Sequence, residues 1–253
     1  MAGILYLVPN TLDFGTVEPL PDLQASLPLG VIRQAAQLTH WVAESAKTTR
    51  AFLKRVDAVA PLACPLQQIV IVELPRPQKG QQAGAAPADL SALLAPALQG
   101  HDLGLISEAG LPAVADPGAL LVAAAHAQRL QVISLPGPSS LLLALAASGL
   151  NGQSFAFVGY LPTDAAQRGT RLRELEALSR RHQQTQLMIE TPYRNQALLA
   201  ALLAQLQAAT RLSVASGLTL ASAFTRTDSV AGWKARPAAL PNDVPTVFSF
   251  LAA

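Results

Sequence analysis

"GLISEAGLPAVADPG" spans residues 104–118, and "ISLPGPSS" spans residues 133–140. Each is an apolar run that ends on a small residue and breaks into a turn rich in Gly and Pro. Strand, tight turn and helix, twice in succession, are the signature of an α/β fold with a parallel sheet. In open sheets of this kind, ligands bind beyond the carboxyl ends of the strands. Both turns fall there. Gly110, Gly118 and Gly137 allow positive φ and close approach of a ligand to the backbone. Pro112, Pro117, Pro136 and Pro138 stiffen the loops and lower the entropy lost on ordering them. Two readings are open for either turn: a simple β-to-α connector, or a ligand site. The recurrence of the turn, with Glu108 and Asp116 in the first, favours the ligand site.

The rest of the chain extends the pattern. Short strands are expected at 4–8, 41–45, 68–74, 102–107 and 131–135. Between them lie helices at 28–40, 47–56, 88–100 and 118–130. "PRPQKGQQAGAAP" (75–87) has little to bury and reads as a loop. A helix follows over 138–150, from "PSS" to Gly149. The second half carries strands at 154–161, 185–190 and 245–251, and one strand or two short ones over 211–219. It has helices at 168–181 and 195–207, and a short element at 229–235. Leu172, Leu175 and Leu178 define the inner face of the 168–181 helix. The fold expected is a two-domain α/β chain. Residues 1–137 form a mostly parallel sheet with helices on both faces, and residues 138–253 form a mixed α/β domain.

Composition narrows the function. In 253 residues, 51% are hydrophobic and 13% charged, with a net charge of +2. That supports a buried core and excludes a broadly basic nucleic-acid-binding surface, though not a local patch. The one cysteine, Cys64, forms no internal disulfide and points to a reducing compartment. Its surroundings suit an inert thiol better than a nucleophile. "MAGILYLVPN" reads as a buried strand, not a signal peptide. No apolar stretch reaches the roughly 20 residues of a membrane span. There is no GxxxxGK[ST], no strand-linked GxGxxG and no GxSxG. His40, His101, His126 and His182 are scattered without ligand spacing, so no metal site is expected.

The chain resembles the tetrapyrrole methylase superfamily of S-adenosylmethionine-dependent methyltransferases, nearest its ribosomal RNA small subunit methyltransferase I branch. The resemblance covers most of the chain and is strongest over 104–162. It rests on "LISEAGLPAVADPG", "LPGPSS", "ALAASGL" and "FAFVGYLP", with Glu44, Thr49 and Arg50 in "VAESAKTTR" and Glu190, Pro192 and Arg194 in "IETPYR". It implies two α/β domains with the cofactor in the cleft between them, usually in a homodimer. S-adenosylmethionine contacts would come from Pro9, Ser107, Glu108, Ala109, Gly110, Pro112, Asp116, Pro117 and Gly118. They would continue through Pro136, Gly137, Pro138, Ser139 and Ser140, and on the C-terminal side through Thr191, Leu218 and Pro245.

After the first strand the branch has a glycine-bearing turn, where this chain has "PNTLDFG" with the glycine late; the other departures gather on the acceptor side. Its acidic-Asp-Thr-Arg run is replaced by Ser45, Ala46 and Lys47, its Glu-Leu-Thr-Lys stretch by "GLTL" (217–220), and its basic cluster by Arg168, Arg171 and Arg173. Glu44 either takes a polar role beside the acceptor or serves as a salt bridge or helix cap. Arg50 and Arg194 either meet an anionic acceptor or are solvated charges. Arg168 and Arg171 either touch an RNA backbone or line an ordinary exposed helix face. The expected function is a cytoplasmic S-adenosylmethionine-dependent methyltransferase of the RNA ribose 2′-O type. The alternatives are a tetrapyrrole or other small organic acceptor, or a catalytically silent cofactor-binding module.

Overall fold

The computed structural model describes residues 2–13, 21–75 and 90–253. The chain divides into two compact units, Met1–Pro138 and Ser139–Ala253. The loop expected over 75–87 lies, after Pro75, outside the described residues.

Unit 1 runs β1 (Ile4–Leu7), α1 (Leu29–Gln37), β2 (His40–Ala43), α2 (Ala46–Asp57), β3 (Val70–Glu73), α3 (Ala95–Leu98), β4 (Leu103–Ile106), α4 (Ala119–Ala127) and β5 (Gln131–Ser134). Its five strands are in the order β3-β2-β4-β1-β5, and all neighbours are parallel. Strand periodicity sorts the side chains to two faces. Leu5, Val42, Leu103 and Leu105 pack with Leu94 and Ala97 beside α3 and with Leu121 and Ala125 of α4. Val8, Trp41, Ala43 and Ile106 pack with Ile32 and Ala35 of α1 and with Phe52, Leu53 and Val56 of α2. Helices thus cover both faces, as expected of a parallel sheet that must bury each of them.

This strand order creates a crevice. From β1 the chain crosses to β2 through α1; from β4, the neighbour of β1, it crosses the opposite way to β5 through α4. The two helices lie on opposite faces, which makes the carboxyl ends of β1 and β4 the switch point of the sheet.

Unit 2 opens with α5 (Ser140–Ser148), stopped by Gly149 in the left-handed conformation at φ 64°. It continues with β6 (Phe155–Tyr160), α6 (Ala165–His182), β7 (Thr185–Glu190), α7 (Asn195–Gln205), β8 (Arg211–Ser216), β9 (Phe224–Ser229), α8 (Val230–Ala235) and β10 (Thr246–Leu251). The sheet order is β6-β7-β10-β8-β9; only β6 and β7 are parallel. Leu141, Ala144 and Leu145 of α5 cover one face through Leu187, Ala215 and Val247. Residues of α6, α7 and α8 cover the other around Met188, Val214, Phe248 and Phe250.

Four sequence expectations need correction. Of the helix expected over 88–100, residues 88 and 89 lie outside the described residues; the remainder holds a 3₁₀ turn (Ser91–Leu94) running into the single-turn α3, because Pro96 removes a backbone donor and tightens the turn before it. Leu178 is exposed; Glu176 and Ser179 take the buried positions beside Leu172 and Leu175. The strand over 211–219 stops at Ser216, where Gly217 (φ 63°) and Thr219 (φ 73°) turn the chain. Strand β9 goes unread, because "FTRTDS" is polar and forms a sheet edge; Arg226 there stacks on the Trp233 ring at 4.0 Å.

One glycine fixes the packing of the first sheet. Gly104 on β4 pairs in register with Trp41 on β2, and a Cβ at Gly104 would lie 2.6 Å from the Trp41 ring. Gly104→Val is expected to destabilise the chain by about 1–3 kcal/mol through overpacking, read as a lower denaturant midpoint with an unchanged slope.

Candidate functional site at the strand ends of unit 1

Three loops meet beyond the carboxyl ends of β1, β4 and β5. The loop after β1 is tied to the loop after β4 by an antiparallel bridge. Asn10 N–H donates to the Gly110 carbonyl at 2.9 Å, and Gly110 N–H returns to the Asn10 carbonyl at 3.2 Å. The Asn10 side chain adds two bonds, from Nδ2 to the carbonyls of Ser107 (3.2 Å) and Glu108 (3.0 Å). Asn10 is buried, so these bonds satisfy an amide that would otherwise be costly to desolvate. The sequence pattern points only to Pro9 in this loop and passes over Asn10. An Asn straight after a strand-ending Pro is the signal that marks it, since Asn side chains bind nearby backbone in turns.

The loop after β5 closes on the same place. A Cβ at Gly137 would fall into the ring of Pro9, and one at Gly110 would meet Leu12 at 3.4 Å and the Pro138 carbonyl at 3.7 Å. Gly110 (φ 69°) and Gly118 (φ 130°) are left-handed as expected, whereas Gly137 is not. At Gly137 the requirement is space, not backbone conformation. Ala113 and Ala115 also hold positive φ (66° and 64°), so the β4–α4 turn keeps strained backbone at non-glycine positions. Pro112 is buried and Pro117 exposed within that turn; Ala109 and Pro136 flank the loop junction, partly buried and exposed respectively.

The charge at this edge is negative. Glu44, directly after β2, accepts the Glu108 N–H through Oε2 at 3.0 Å. It is therefore neither a helix cap nor an ion-pair partner among the described residues. Ser45 caps α2 by accepting the Thr48 N–H, and Glu73 accepts the Ala46 N–H at 2.7 Å. Asp116 in the turn is raised to about 7, by burial first and then by the charges of Glu44 and Glu108. The Ser107 hydroxyl pulls the other way, more than the Glu108 charge pushes; it lies close to Asp116 but makes no hydrogen bond of standard geometry, although Ser107 is 3% exposed. Beside these groups, Asn10, Thr11, Ser45, Lys47, Thr48 and Glu108 help to line a cavity of about 490 Å³.

Unit 2 also gathers residues at one sheet end. Thr246 pairs with Glu190 and with Ser216, which brings Thr191, Leu218 and Pro245 to the same edge. Gly217 N–H donates to the Pro245 carbonyl at 3.0 Å. Ser139 is buried and Ser140 partly buried at the start of α5.

The arginines are mostly engaged. Arg194 pairs with Glu190 at 2.7 Å and bonds Thr191 Oγ1. Arg168 bonds the carbonyls of Pro162 and Thr163, and Arg171 pairs with Glu174 at 3.2 Å. Arg50 is exposed and, among the described residues, reaches only the Ala46 carbonyl of its own helix. With Lys47 and Lys54 it forms an exposed cationic stripe along α2. Cys64 is a partly buried free thiol packed against the α1–α2 core.

Known proteins resemble this chain in sequence and in fold. The family profile described as Tetrapyrrole (Corrin/Porphyrin) Methylases matches residues 31–230, and the chain belongs to that family. A ribosomal RNA small subunit methyltransferase I of Mesorhizobium japonicum is 39% identical over 127 residues, 50% of this chain and 42% of that protein. A protein of the same description from Streptococcus pyogenes is 30% identical over 193 residues, 76% of this chain and 57% of that protein. The chain thus spans about half the length of these curated relatives. Among solved structures, the methyltransferase CobJ aligns with a TM-score of 0.58 at 16% identity, covering 100% of this chain and 95% of that one. The putative cobalamin synthesis related protein CobF of Corynebacterium diphtheriae aligns at 0.56 and 17%, covering 99% of each chain. At these identities the structural likeness establishes the fold alone.

Two outcomes are expected. Gly137→Val should abolish S-adenosylmethionine binding in calorimetry, because the new side chain displaces Pro9 and opens the loop junction; unchanged affinity would place the ligand elsewhere. Asp116→Asn should raise stability above about pH 7 and leave it nearly unchanged near pH 4. The folded carboxyl holds its proton up to about 7 against 3.8 for an ordinary aspartate. The wild-type chain therefore loses stability as pH rises between those values, and the amide does not. Denaturant midpoints of both proteins across pH check this.

Proposed function

We propose that the chain is an S-adenosylmethionine-dependent methyltransferase acting on RNA, with a ribose 2′-hydroxyl as acceptor. The observation that carries the reading is the junction of three strand-end loops at the switch point of a parallel sheet, in a member of the tetrapyrrole methylase family. The names of the two relatives described above support RNA as the acceptor class.

The residues at the junction fit the cofactor. The Ser107 hydroxyl is buried without a partner, and the backbone of 107–110 and 136–138 is brought close by glycine and proline. The carboxylates of Glu44, Glu108 and Asp116 have no ion-pair partner among the described residues, which suits a ligand carrying positive charge. Ser107 to Gly110, Asp116 to Gly118 and Pro136 to Gly137 would hold it. When bound, S-adenosylmethionine supplies a methyl group already activated on a sulfonium. The protein is then left with alignment. Asn10 and Glu44 fix the β4–α4 turn through its own amide and carbonyl groups, so the turn enters binding already ordered.

The acceptor would lie along α2 rather than α6. Arg168 and Arg171 are turned to internal partners, while Lys47, Arg50 and Lys54 remain exposed beside the cavity. A homodimer and a cytoplasmic, reducing location complete the reading; the lone thiol is consistent with the latter.

The experiment is transfer of labelled methyl groups to small-subunit ribosomal RNA from a strain that lacks the protein. Label is expected in ribose 2′-O positions, and label confined to small molecules would overturn RNA as the acceptor. Lys47→Ala with Arg50→Ala should weaken RNA binding and reduce the slope of log affinity against log salt by about 2, one for each phosphate no longer neutralised.

A further inference from the structure

The β4–α4 turn holds more negative charge than a loop built only to approach a ligand needs. Glu44 reaches it from the end of β2, and Glu108 and Asp116 belong to it. These two glutamates are the charged groups that face Asp116 among the described residues. Among the described residues none of the three makes an ion pair; the ion pair of unit 1 there is Arg55 with Asp13. Like charges placed together in a partly buried site are destabilising unless a proton or a cation joins them. The Ser107 hydroxyl, 3% exposed and unpartnered, is a second unsatisfied group beside Asp116. Nor do the carboxylates converge closely enough with any other His, Cys, Asp or Glu to hold a metal ion, among the described residues. A diffuse organic cation is the remaining class of positive ligand.

We propose that Glu44, Glu108 and Asp116 form a charge-reading site that favours the sulfonium form of the cofactor over its neutral sulfide product. The inference rests on the cofactor reading above and names what these side chains add to it. S-adenosylmethionine carries a positive sulfur, and S-adenosylhomocysteine does not; the two are otherwise alike apart from the methyl group. A negative site therefore attracts the reactant and loses its attraction once the methyl group has left, which promotes product release. The proton balance follows. Asp116 is raised to about 7, so near neutral pH it is partly protonated in the free chain. An arriving cation displaces that proton to solvent, and the neutral product lets it return.

Calorimetry on the intact chain tests this with the two compounds as probes and needs no methyl acceptor. Wild-type affinity for S-adenosylmethionine should rise roughly three- to tenfold from about pH 6 to pH 8, as the competing proton is lost. Affinity for S-adenosylhomocysteine should change less than about twofold over that range. Repeating the titration in buffers of different ionisation heat should show proton release with the first compound alone. Asp116→Asn should remove both the pH dependence and the proton release. Glu44→Gln keeps an oxygen for the Glu108 N–H; it should move the pH dependence to lower pH, because a like charge beside Asp116 is gone. Equal pH profiles and proton release for the two compounds, or a pH dependence and proton release that survive Asp116→Asn, would overturn the charge-reading site while leaving the cofactor reading in place. Failure of the wild-type chain to bind either compound at any pH would overturn the cofactor reading itself.

Discussion

The structure depends on one steric constraint: the ring of Pro9 occupies the volume where Gly137 would carry a side chain. That contact presses the loop after β1 against the loop after β5. The Asn10–Gly110 bridge draws in the loop after β4. Three segments far apart in sequence are thereby held as one surface made mainly of backbone. A parallel sheet supplies the direction of the strands, and its switch point supplies the gap. The glycines and prolines then set how close the loops approach. Fixing this surface before a ligand arrives lowers the entropy that binding must overcome.

Electrostatics then act against stability. Glu44, Glu108 and Asp116 share a rim without an ion-pair partner among the described residues, and Asp116 is raised to about 7 by burial first and by its carboxylate neighbours second. Ala113 and Ala115 keep positive φ in the same turn. Strain and like charge are concentrated at one place, inside a domain whose core is otherwise regular, and the ligand reading proposed above rests on that concentration. The contrast with Asp13 is instructive, since that buried carboxylate is matched by Arg55 at 3.0 Å.

Much of this is legible in the sequence. The alternation of short apolar runs with helical spacing yields the parallel sheet of unit 1, because fully buried strands such as Leu103–Ile106 have no polar face to confuse the pattern. Gly110 and Gly118 are readable as left-handed positions from their turns. The reason for Gly137 is not, because it lies in a contact with Pro9, over a hundred residues away in the chain. Asn10 escapes for the same cause, since its partners are Ser107 and Glu108. Strand β9 escapes because an edge strand can be polar on both faces, and Leu178 is misplaced because Glu176 and Ser179 turn the buried stripe of α6. The engagement of Arg168, Arg171 and Arg194 by local partners is likewise a property of geometry that spacing does not carry.

The central claim is that S-adenosylmethionine lies against the main chain where these three loops meet. A crystal structure of the chain grown with that compound tests it most directly. The account predicts density in contact with the backbone of Ser107–Gly110 and Pro136–Gly137, with the Ser107 hydroxyl or a neighbouring amide bonded to it. Clear density for the compound elsewhere on the chain, with the loop junction filled by protein side chains, would contradict it.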